Sequence, residues 1–345
     1  MKSQQDSQIT PSKIMQIGMG FWASKTLLTA VNMGLFTFLA SGAKTGTSIQ
    51  NNFDLHERSL YDFLDALVAL GFLNRSGLKT SAVYSNTEET NLFLDRNKPS
   101  YIGGILEMAN NRLYPFWNDL EEGLVTGNPQ NETKEGGKPV FEAIYANEDS
   151  LKEFIHAMGG VQAGNFMKLS QEFDFSPYKT LCDIGGSGGN LCIHLAKHNP
   201  HLKCTSWDLP PVSAVAKENI ENMGLSDSIN VASGDFFMDE FPKADIITMG
   251  NILHDWGTAD KLMLIRKAYN ALPENGLFMV IENIIDDDRS QNAFGLLMSL
   301  NMLIETDSGF DFTSHDFKEW AGEVGFKDVR TMPLTGPSSV IIATK

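Results

Sequence analysis

The sequence predicts an α/β protein in which a doubly wound, mostly parallel sheet follows a smaller and mostly helical N-terminal part. Three observations support this fold class. From Tyr178 onward, short apolar runs alternate with segments of helical periodicity. A glycine-rich turn at residues 183–189 stands between the first apolar run and the first of these helices. Before Tyr178, the apolar residues recur mainly at helical spacing.

The C-terminal half contains five apolar runs that are candidate parallel strands. They lie at residues 180–184, 203–208, 229–233, 245–250 and 277–284. Helices are expected between them at residues 190–198, 211–223 and 259–271, and a final strand at 340–344 is expected to pair with 329–333. Crossover helices join parallel strands, so ligand-binding residues are expected at the carboxyl ends of the strands.

Residues 11–94 are predicted to form small helices followed by a hairpin. The helices are expected at residues 13–30, 35–39, 47–52 and 57–70, and the two short strands between residues 73 and 84. This winged-helix pattern serves DNA binding in some proteins, and dimerisation or the covering of a pocket in others. The helix that would enter DNA carries more acidic than basic residues, which disfavours DNA binding. These residues are Glu57, Asp62 and Asp65 against Arg58.

Three domains follow from these patterns. Residues 1–98 form the winged-helix-like domain, residues 99–175 a helical linking and pocket-covering region, and residues 176–345 the α/β domain. In the middle region, helices predicted at 100–122 and 152–173 are separated by a polar, glycine-rich loop at 127–138.

Composition and charge restrict the function classes. The 345 residues are 42% hydrophobic and 20% charged, as in ordinary globular proteins, and the net charge of −16 disfavours nucleic acid and anionic membranes as partners. Cys182, Cys192 and Cys204 lack CxxC spacing and are expected to be reduced thiols. Residues 1–12 lack a signal-peptide core, and the apolar stretch 14–40 is too interrupted to span a membrane. A cytoplasmic protein is therefore expected.

The glycine-rich turn indicates which ligand is bound. A dinucleotide fingerprint requires G-x-G-x-x-G, and Leu191 stands where its third glycine would be. The better match is D-x-G-x-x-x-G, with Asp183 ahead of the glycines. A carboxylate there would repel a pyrophosphate but suits S-adenosylmethionine (SAM), whose sulfonium and ammonium groups are positive.

The next two strands also end in acidic residues. Asp208 ends the second strand, where a carboxylate can accept hydrogen bonds from both ribose hydroxyls. Asp235 and Phe236 follow the third strand, where an acid can receive an adenine amino group and an aromatic ring can pack on the base. A single strand-end acid is most often a turn residue, but three on neighbouring strands favour one cofactor site.

With these motifs, the chain resembles the two-domain SAM-dependent O-methyltransferases, a family that includes plant caffeate-type enzymes, acetylserotonin O-methyltransferase and bacterial natural-product enzymes. The matching segments are residues 183–189, 208–210, 234–237, 253–256 and 299–303. The resemblance implies a Rossmann-like, metal-independent catalytic domain behind a winged-helix domain that forms a homodimer. It implies methyl transfer from SAM, leaving S-adenosylhomocysteine (SAH), to a hydroxyl of a small aromatic molecule.

The resemblance also implies roles for individual residues. His254 matches the family's general base, which removes the proton of a hydroxyl during in-line displacement. Glu282 and Asp311 match the carboxylates that orient it, although plant members carry a glutamate at the second position. Asp255 is expected to cap the following helix or to contact the cofactor. The residues assigned to the cofactor are Asp183, Gly185, Gly186, Gly188, Asp208, Leu209, Gly234, Asp235, Phe236, Asn251 and Trp256.

A helical stripe after residue 290 is either a core face or the wall of an acceptor pocket. The resemblance favours the pocket, whose assigned residues are Phe154, Met158, Met298, Asn301, Met302 and Glu305. Ser187, Gly250 and Asn251 depart from family patterns, so the chemistry carries over rather than the identity of the acceptor.

The sequence leaves three alternatives to an O-methyltransferase open. The same fold could methylate carbon or nitrogen, or use SAM without methylation. A winged-helix protein could sense SAM as a regulator, and an NAD-dependent dehydrogenase is disfavoured by the missing glycine and by Asp183. A metal site at His194, His198 and His201 is also disfavoured, because these residues lie toward the helix end that faces away from the strand ends.

Overall fold

The contacts of the chain separate into two compact units that divide after Pro115. The computed structural model describes residues 9–137 and 148–345. Most of the polar segment 1–12, and residue 138 of the predicted loop, therefore lie outside the described residues. The finer division at residues 98 and 175 stays a prediction.

The N-terminal unit contains short helices and a three-stranded sheet. The helices are α1 Ser12–Gly18, α2 Gly20–Met33, α3 Leu35–Ala40, α4 Gly46–Phe53, α5 Leu60–Ala69, α6 Glu88–Phe93 and α7 Gly103–Met108. The strands are β1 Lys44–Thr45, β2 Leu73–Ser76 and β3 Val83–Asn86, in the order β1-β3-β2. This is the predicted winged-helix arrangement with one strand, β1, that sequence periodicity did not indicate, because two residues are too few to show alternation.

Helix α5 shows why this unit folds. Leu60, Leu64 and Leu67 recur at helical spacing and are buried in a core with Phe36 and Tyr84. The predicted helix 13–30 divides into α1 and α2 at Met19, whose neighbours on both sides are glycines, and glycine weakens a helix interior. The predicted helix 100–122 is irregular rather than continuous α-helix: π-helical turns at Ala109–Leu113 follow α7 just before Pro115, which lacks the N–H that a regular α-helical turn requires.

The C-terminal unit is built on a seven-stranded sheet. Its strands are β4 Thr180–Ile184, β5 Lys203–Asp208, β6 Ile229–Ser233, β7 Ile246–Gly250, β8 Leu277–Glu282, β9 Asp328–Pro333 and β10 Ser339–Thr344. Their order is β6-β5-β4-β7-β8-β10-β9. Strands β4 to β8 pair in parallel, whereas β9 and β10 are antiparallel additions. The predicted α/β fold class is confirmed.

The helices of the rest of the chain continue the element order. They are α8 Tyr114–Phe116, α9 Leu120–Thr126, α10 Glu148–Glu172, α11 Asn190–His198, α12 Pro210–Asn222, α13 Thr258–Ala271, α14 Ala293–Glu305 and α15 Ser314–Val324. Periodicity did not indicate α15, although a signal was present: Thr313 and Asp316 form a capping box at its start. None of the helices in the described part of the chain is long and apolar enough to cross a lipid bilayer.

The parallel register places the functional strand ends side by side. Ile184 of β4 pairs with Trp207 of β5, and Asp208 pairs with Ser233 of β6. On the other side of β4, Gly250 at the end of β7 pairs with Ile281 of β8. Residues that follow these five strands therefore gather along one edge of the sheet, as expected for a parallel α/β fold.

Candidate active site

The glycine-rich turn after β4 is tight and leaves little room for side chains. Gly185 and Gly189 adopt left-handed φ values of 70° and 76°, and a Cβ atom on Gly185 would lie 2.5 Å from Ile252 Cδ1. Ser187 also has a positive φ, of 50°, although it carries a side chain. A Cβ atom on Gly186 or Gly188 would likewise lie within 3 Å of a neighbouring side-chain atom. Glycine at these positions therefore lets the backbone form a tight turn with little room for side chains.

Asp183 is buried beneath this turn. Thr248 Oγ1 donates a hydrogen bond to its Oδ1 at 2.7 Å. Burial raises the pKa of Asp183 to about 7, and the hydrogen bond from Thr248 only partly opposes this. Sequence patterns did not single out Thr248, because its contact with Asp183 arises across paired strands. A cation bound nearby would favour the ionised form of Asp183.

Asp208 holds the turn through its own carboxylate. Its Oδ2 accepts the N–H of Ser187 at 2.8 Å, and its Oδ1 accepts the N–H of Leu209 at 2.7 Å. Burial raises the pKa of Asp208 to about 6, against these two hydrogen bonds. Two carboxylate oxygens offer about four acceptor positions, so capacity remains for hydroxyl groups of a ligand.

The third strand end combines an acid with aromatic rings. Asp235 lies two residues beyond β6, and its Oδ1 accepts the N–H of Phe237 at 2.8 Å, as in a turn. Phe236, Phe237 and Trp256 pack edge to face, with ring centroids 4.6–5.9 Å apart. Trp256 Nε1 is buried and has no hydrogen-bond partner among the described residues. This unpaired donor fits a site that receives a polar, flat ligand.

The remaining residues assigned to the cofactor also lie near these strand ends. Leu209 begins the connection to α12, Gly234 follows β6 against Trp207, and Asn251 follows β7 with a left-handed φ of 52°. The acids and the unpaired indole donor together fit the positive charge and the polar groups of SAM.

His254 lies in a short turn after β7 and is buried among carboxylates. Its Nδ1 lies 3.4 Å from Glu282 Oε2 and 3.5 Å from Asp311 Oδ1, while its Nε2 lies 3.5 Å from Asp255 Oδ1. The structure thus brings together the three residues predicted to be catalytic. The expectation that Asp255 caps the next helix is wrong: Gly257 is the N-cap of α13.

The charges of this cluster perturb one another. Burial by itself lowers the pKa of His254, but Glu282, Asp255 and Asp311 outweigh it and raise the pKa to about 10. Burial raises the pKa of Glu282 to about 7 and that of Asp255 to about 6, although the His254 cation opposes both shifts. A proton is therefore held tightly within this group of side chains.

Several polar atoms of the cluster lack hydrogen bonds. His254 Nδ1, Glu282 Oε2 and both carboxylate oxygens of Asp311 are buried without a hydrogen-bond partner among the described residues. The distances around Nδ1 exceed ordinary hydrogen-bond lengths, and such contacts commonly tighten when substrate binds. Ligand atoms of His254, Glu282 and Asp311 lie within 4.8 Å of one another, so the geometry alone would also admit a small cation.

Lys261 stands beside this cluster and was not predicted from the sequence. Its side chain is fully buried on α13, and its Nζ donates to the carbonyl oxygens of Trp256 and Phe310. The signal that could have found it is its spacing: Lys261 precedes Leu264 and Ile265 on the buried face of the helix.

Helix α14 carries four of the predicted acceptor residues: Met298, Asn301, Met302 and Glu305. The helix contacts the turn that contains His254, and the Asp311 N–H donates to Ser299 Oγ at 3.2 Å. Asn301 Oδ1 accepts a hydrogen bond from Trp117 Nε1 at 2.8 Å, a contact that no sequence pattern indicated. Helix α14 therefore lies next to the turn that contains His254.

Phe154 and Met158 lie on a different helix, α10, and are half-buried. Between them, Ile155 packs with Val212 and Val215 in a small core beside the glycine-rich turn. Their placement beside the acceptor stays a prediction.

Two histidines of the disfavoured metal site have other neighbours. His198 Nδ1 lies 3.1 Å from Ser170 Oγ, and His201 Nε2 lies 3.1 Å from the Phe175 carbonyl oxygen.

Comparison with known proteins identifies the family. A family model described as an O-methyltransferase domain matches residues 117–327, and one described as an O-methyltransferase dimerisation domain matches residues 15–96. The tetracenomycin polyketide synthesis 8-O-methyl transferase TcmO of Streptomyces glaucescens is 38% identical over 335 residues, or 97% of each chain. Acetylserotonin O-methyltransferase of Bos taurus is 30% identical over 97% of each chain.

A solved structure agrees with these relatives. Human N-acetylserotonin methyltransferase in complex with SAM superposes with a TM-score of 0.90 at 27% identity, over 99% of each chain. The family and the fold class predicted from the sequence are therefore confirmed, and the chain belongs to the two-domain, SAM-dependent O-methyltransferases.

Proposed function

We propose that this enzyme transfers the methyl group of SAM to a hydroxyl group of a small aromatic molecule, with His254 as the general base. The observation that carries this proposal is the burial of the His254 imidazole among three carboxylates just beyond the end of β7. A base in this position can accept the hydroxyl proton, and Glu282 and Asp311 can hold the ring in one orientation.

The strand ends of β4, β5 and β6 would hold the cofactor. Asp208 has spare acceptor capacity for the ribose hydroxyls, and Asp183 supplies negative charge beside a cationic ligand. The rings of Phe236 and Trp256 would receive the adenine. SAM itself supplies an electrophilic methyl group on its sulfonium.

His254 must be neutral before it can accept a proton. The surrounding carboxylates raise its pKa to about 10, although burial opposes them, so the imidazole is charged at neutral pH in the protein alone. His254 gives up this proton more readily once a cationic cofactor is bound nearby, because like charges oppose each other. Cofactor binding would thus prepare the base for the acceptor.

Helix α14 supports an aromatic acceptor. Met298 and Met302 offer polarisable apolar surface, and Asn301 and Glu305 offer polar groups on the same helix. Phe154 and Met158 of α10 would close the opposite side. The related enzyme TcmO is named for 8-O-methylation in polyketide synthesis, which agrees with an acceptor of this class.

The N-terminal domain would form a homodimer in the cytoplasm. It matches the dimerisation domain of this family, and α1 and α2 expose large apolar side chains that another subunit could cover. These side chains are Ile14, Ile17, Phe21 and Trp22.

The central test follows the fate of a labelled methyl group. Wild-type enzyme with methyl-labelled SAM and a panel of phenols, catechols, hydroxyindoles and polyketide-like acceptors should yield O-methylated products, also in the presence of EDTA. Product analysis separates oxygen from carbon or nitrogen methylation. Loss of activity in EDTA, restored by one divalent metal, would contradict a metal-independent site.

The base is tested by His254→Ala. General-base catalysis contributes about 10²–10⁴-fold, so kcat should fall by that factor. The dissociation constant for SAH should change little. His315→Ala serves as the control, because His315 is exposed and belongs to neither proposed site. If His254→Ala retained near wild-type turnover, another residue would have to be the base.

A further inference from the structure

Lys261 is a fully buried lysine that has no role in the proposed methyl transfer. It lies on the inner face of α13, where Leu264, Ile265, Ala268 and Ala271 form the rest of the buried surface. Burying an ammonium group costs free energy unless hydrogen bonds and opposite charges compensate. A lysine in such a place therefore needs partners that explain its position.

The first partners are two backbone carbonyl groups. Lys261 Nζ donates to the carbonyl of Trp256 and, at 3.0 Å, to that of Phe310. Trp256 follows His254 by two residues, and Phe310 immediately precedes Asp311. One ammonium group thus joins the turn that carries the base to the segment that carries one of its carboxylates.

Aromatic rings complete the enclosure. Lys261 Nζ lies 3.5 Å from the ring centroid of Phe310, with Phe312 and Trp320 at 5.7 Å and 5.9 Å. Rings at such distances attract a cation, most strongly where water is excluded. The charge is therefore held in one place rather than at the end of a mobile side chain.

The acidic cluster is the third partner. In the described part of the chain Lys261 makes no direct ion pair, yet Glu282, Asp311, Asp255 and Asp260 all attract its charge. Burial outweighs this attraction and lowers the pKa of Lys261 to about 8, so it stays protonated at neutral pH. Three carboxylates around His254 thus face two cationic side chains, His254 and Lys261.

We propose that Lys261 is a positioning residue for the base: its buried ammonium joins the His254 turn to the Asp311 segment and supplies the positive charge that balances the carboxylates around the imidazole. This inference rests on the proposed role of His254. Removing the charge would favour the protonated form of His254. His254 would then require a higher pH to become neutral and act as a base.

The test compares Lys261→Met, Lys261→Arg and wild-type enzyme. At an effective dielectric constant near 20, removal of one charge near His254 corresponds to a shift of about one unit in the pH at which His254 loses its proton. In Lys261→Met, the acid limb of the pH profile of kcat/KM for the acceptor, measured at saturating SAM, should move to higher pH by about that amount. The rate at pH 7 should then be about tenfold lower. Lys261→Arg keeps the charge, so the acid limb of its pH profile should stay within about 0.3 pH unit of that of the wild-type enzyme.

Lys345→Met is the matched control. Lys345 Nζ also donates to two carbonyl groups, those of Tyr269 and Leu272, and lies 4.4 Å from the ring centroid of Tyr269. It belongs to neither proposed site. Both methionine variants should lose stability in thermal unfolding, but only Lys261→Met should shift the pH profile. SAH affinity, measured by calorimetry, should be retained in both.

An unshifted acid limb in a folded, SAH-binding Lys261→Met enzyme would overturn the inference, as would an equal shift in Lys345→Met. Should Lys261→Met fail to fold, Lys261→Gln replaces it, because the uncharged amide can still donate to one carbonyl. If neither uncharged variant folds, the proposal is rejected unless Lys261→Arg retains both the wild-type limb and at least a third of kcat. His254→Ala is measured in parallel. The activity of His254→Ala tests the proposed function, whereas the acid limb of the Lys261 variants tests the role of Lys261.

Discussion

The strand ends proposed to bind the cofactor (the cofactor end, with Asp183, Asp208 and Asp235) and the surroundings of the proposed base His254 (the base end) are built in different ways. Asp208 accepts two backbone N–H groups, one from the adjacent residue and one from the turn after the neighbouring strand. His254, by contrast, is surrounded by side chains from the segments of Glu282, Asp311 and Lys261, and several of their atoms lack hydrogen bonds.

This difference separates binding from chemistry. Acids held by backbone hydrogen bonds keep a fixed shape, which suits recognition of a constant cofactor. A cluster of coupled, buried charges keeps its protons poised, which suits a proton transfer. Changes at the cofactor end should therefore alter affinity, and changes at the base end should alter kcat and its dependence on pH.

Glu282→Gln should give the largest effect among the remaining tests. Loss of an orienting carboxylate should lower kcat about tenfold or more. Because Glu282 raises the pKa of His254, its removal should move the acid limb of kcat/KM to lower pH, opposite to Lys261→Met. Steady-state rates from pH 5 to 10 measure both.

Glu274→Gln is the control for that change, since Glu274 pairs with Lys327 on the surface. If Glu282→Gln kept a normal kcat but bound SAH more weakly, Glu282 would belong to the cofactor end. The proposed separation between residues that set affinity and residues that set kcat would then be wrong.

Asp208→Asn should have an intermediate effect, confined to affinity. Hydrogen bonds to a charged group are worth about 1.5–3 kcal/mol, so the dissociation constant for SAH should rise about tenfold or more. At saturating SAM, kcat and its acid limb should stay near wild type. Calorimetric titration with SAH measures the change, with the exposed Asp227→Asn as control. A shifted acid limb at saturating SAM would show that the Asp208 carboxylate itself influences the protonation of His254.

Ser187→Gly should have the smallest effect. A left-handed φ costs a non-glycine residue about 1–2 kcal/mol, and the greater unfolded-state entropy of glycine offsets part of the relief. The free energy of unfolding, from urea titration, should rise by about 1 kcal/mol or less. Gly185→Ala in the same turn should lower it, because its Cβ would meet Ile252. A destabilised Ser187→Gly protein would show that the serine side chain holds the turn.

Prediction from the sequence succeeded where the signal is local. Strands β4, β5 and β6 begin and end at the predicted residues, since each apolar run is bounded by its own turn. It failed for β1, which is too short to show alternation. The Trp117–Asn301 hydrogen bond was equally inaccessible, because its partners are distant in the chain.

The residues around the base show the same limit. The resemblance named His254, Glu282 and Asp311, and the structure places them together. Neither motif nor periodicity named Lys261, because one lysine on an apolar helix face gives no indication of what it faces.

The sequence by itself determined the family, the order of the strands along the chain and the acids at three strand ends, because these depend on short segments and their spacing. Only the tertiary structure decided which charges share one buried volume. Asp255, His254, Glu282, Asp311 and Lys261 come from four separate segments. The pKa values of His254, Glu282 and Lys261 depend on burial and on the distances to neighbouring charges. Such coupling exists only once the chain has excluded water from around those groups.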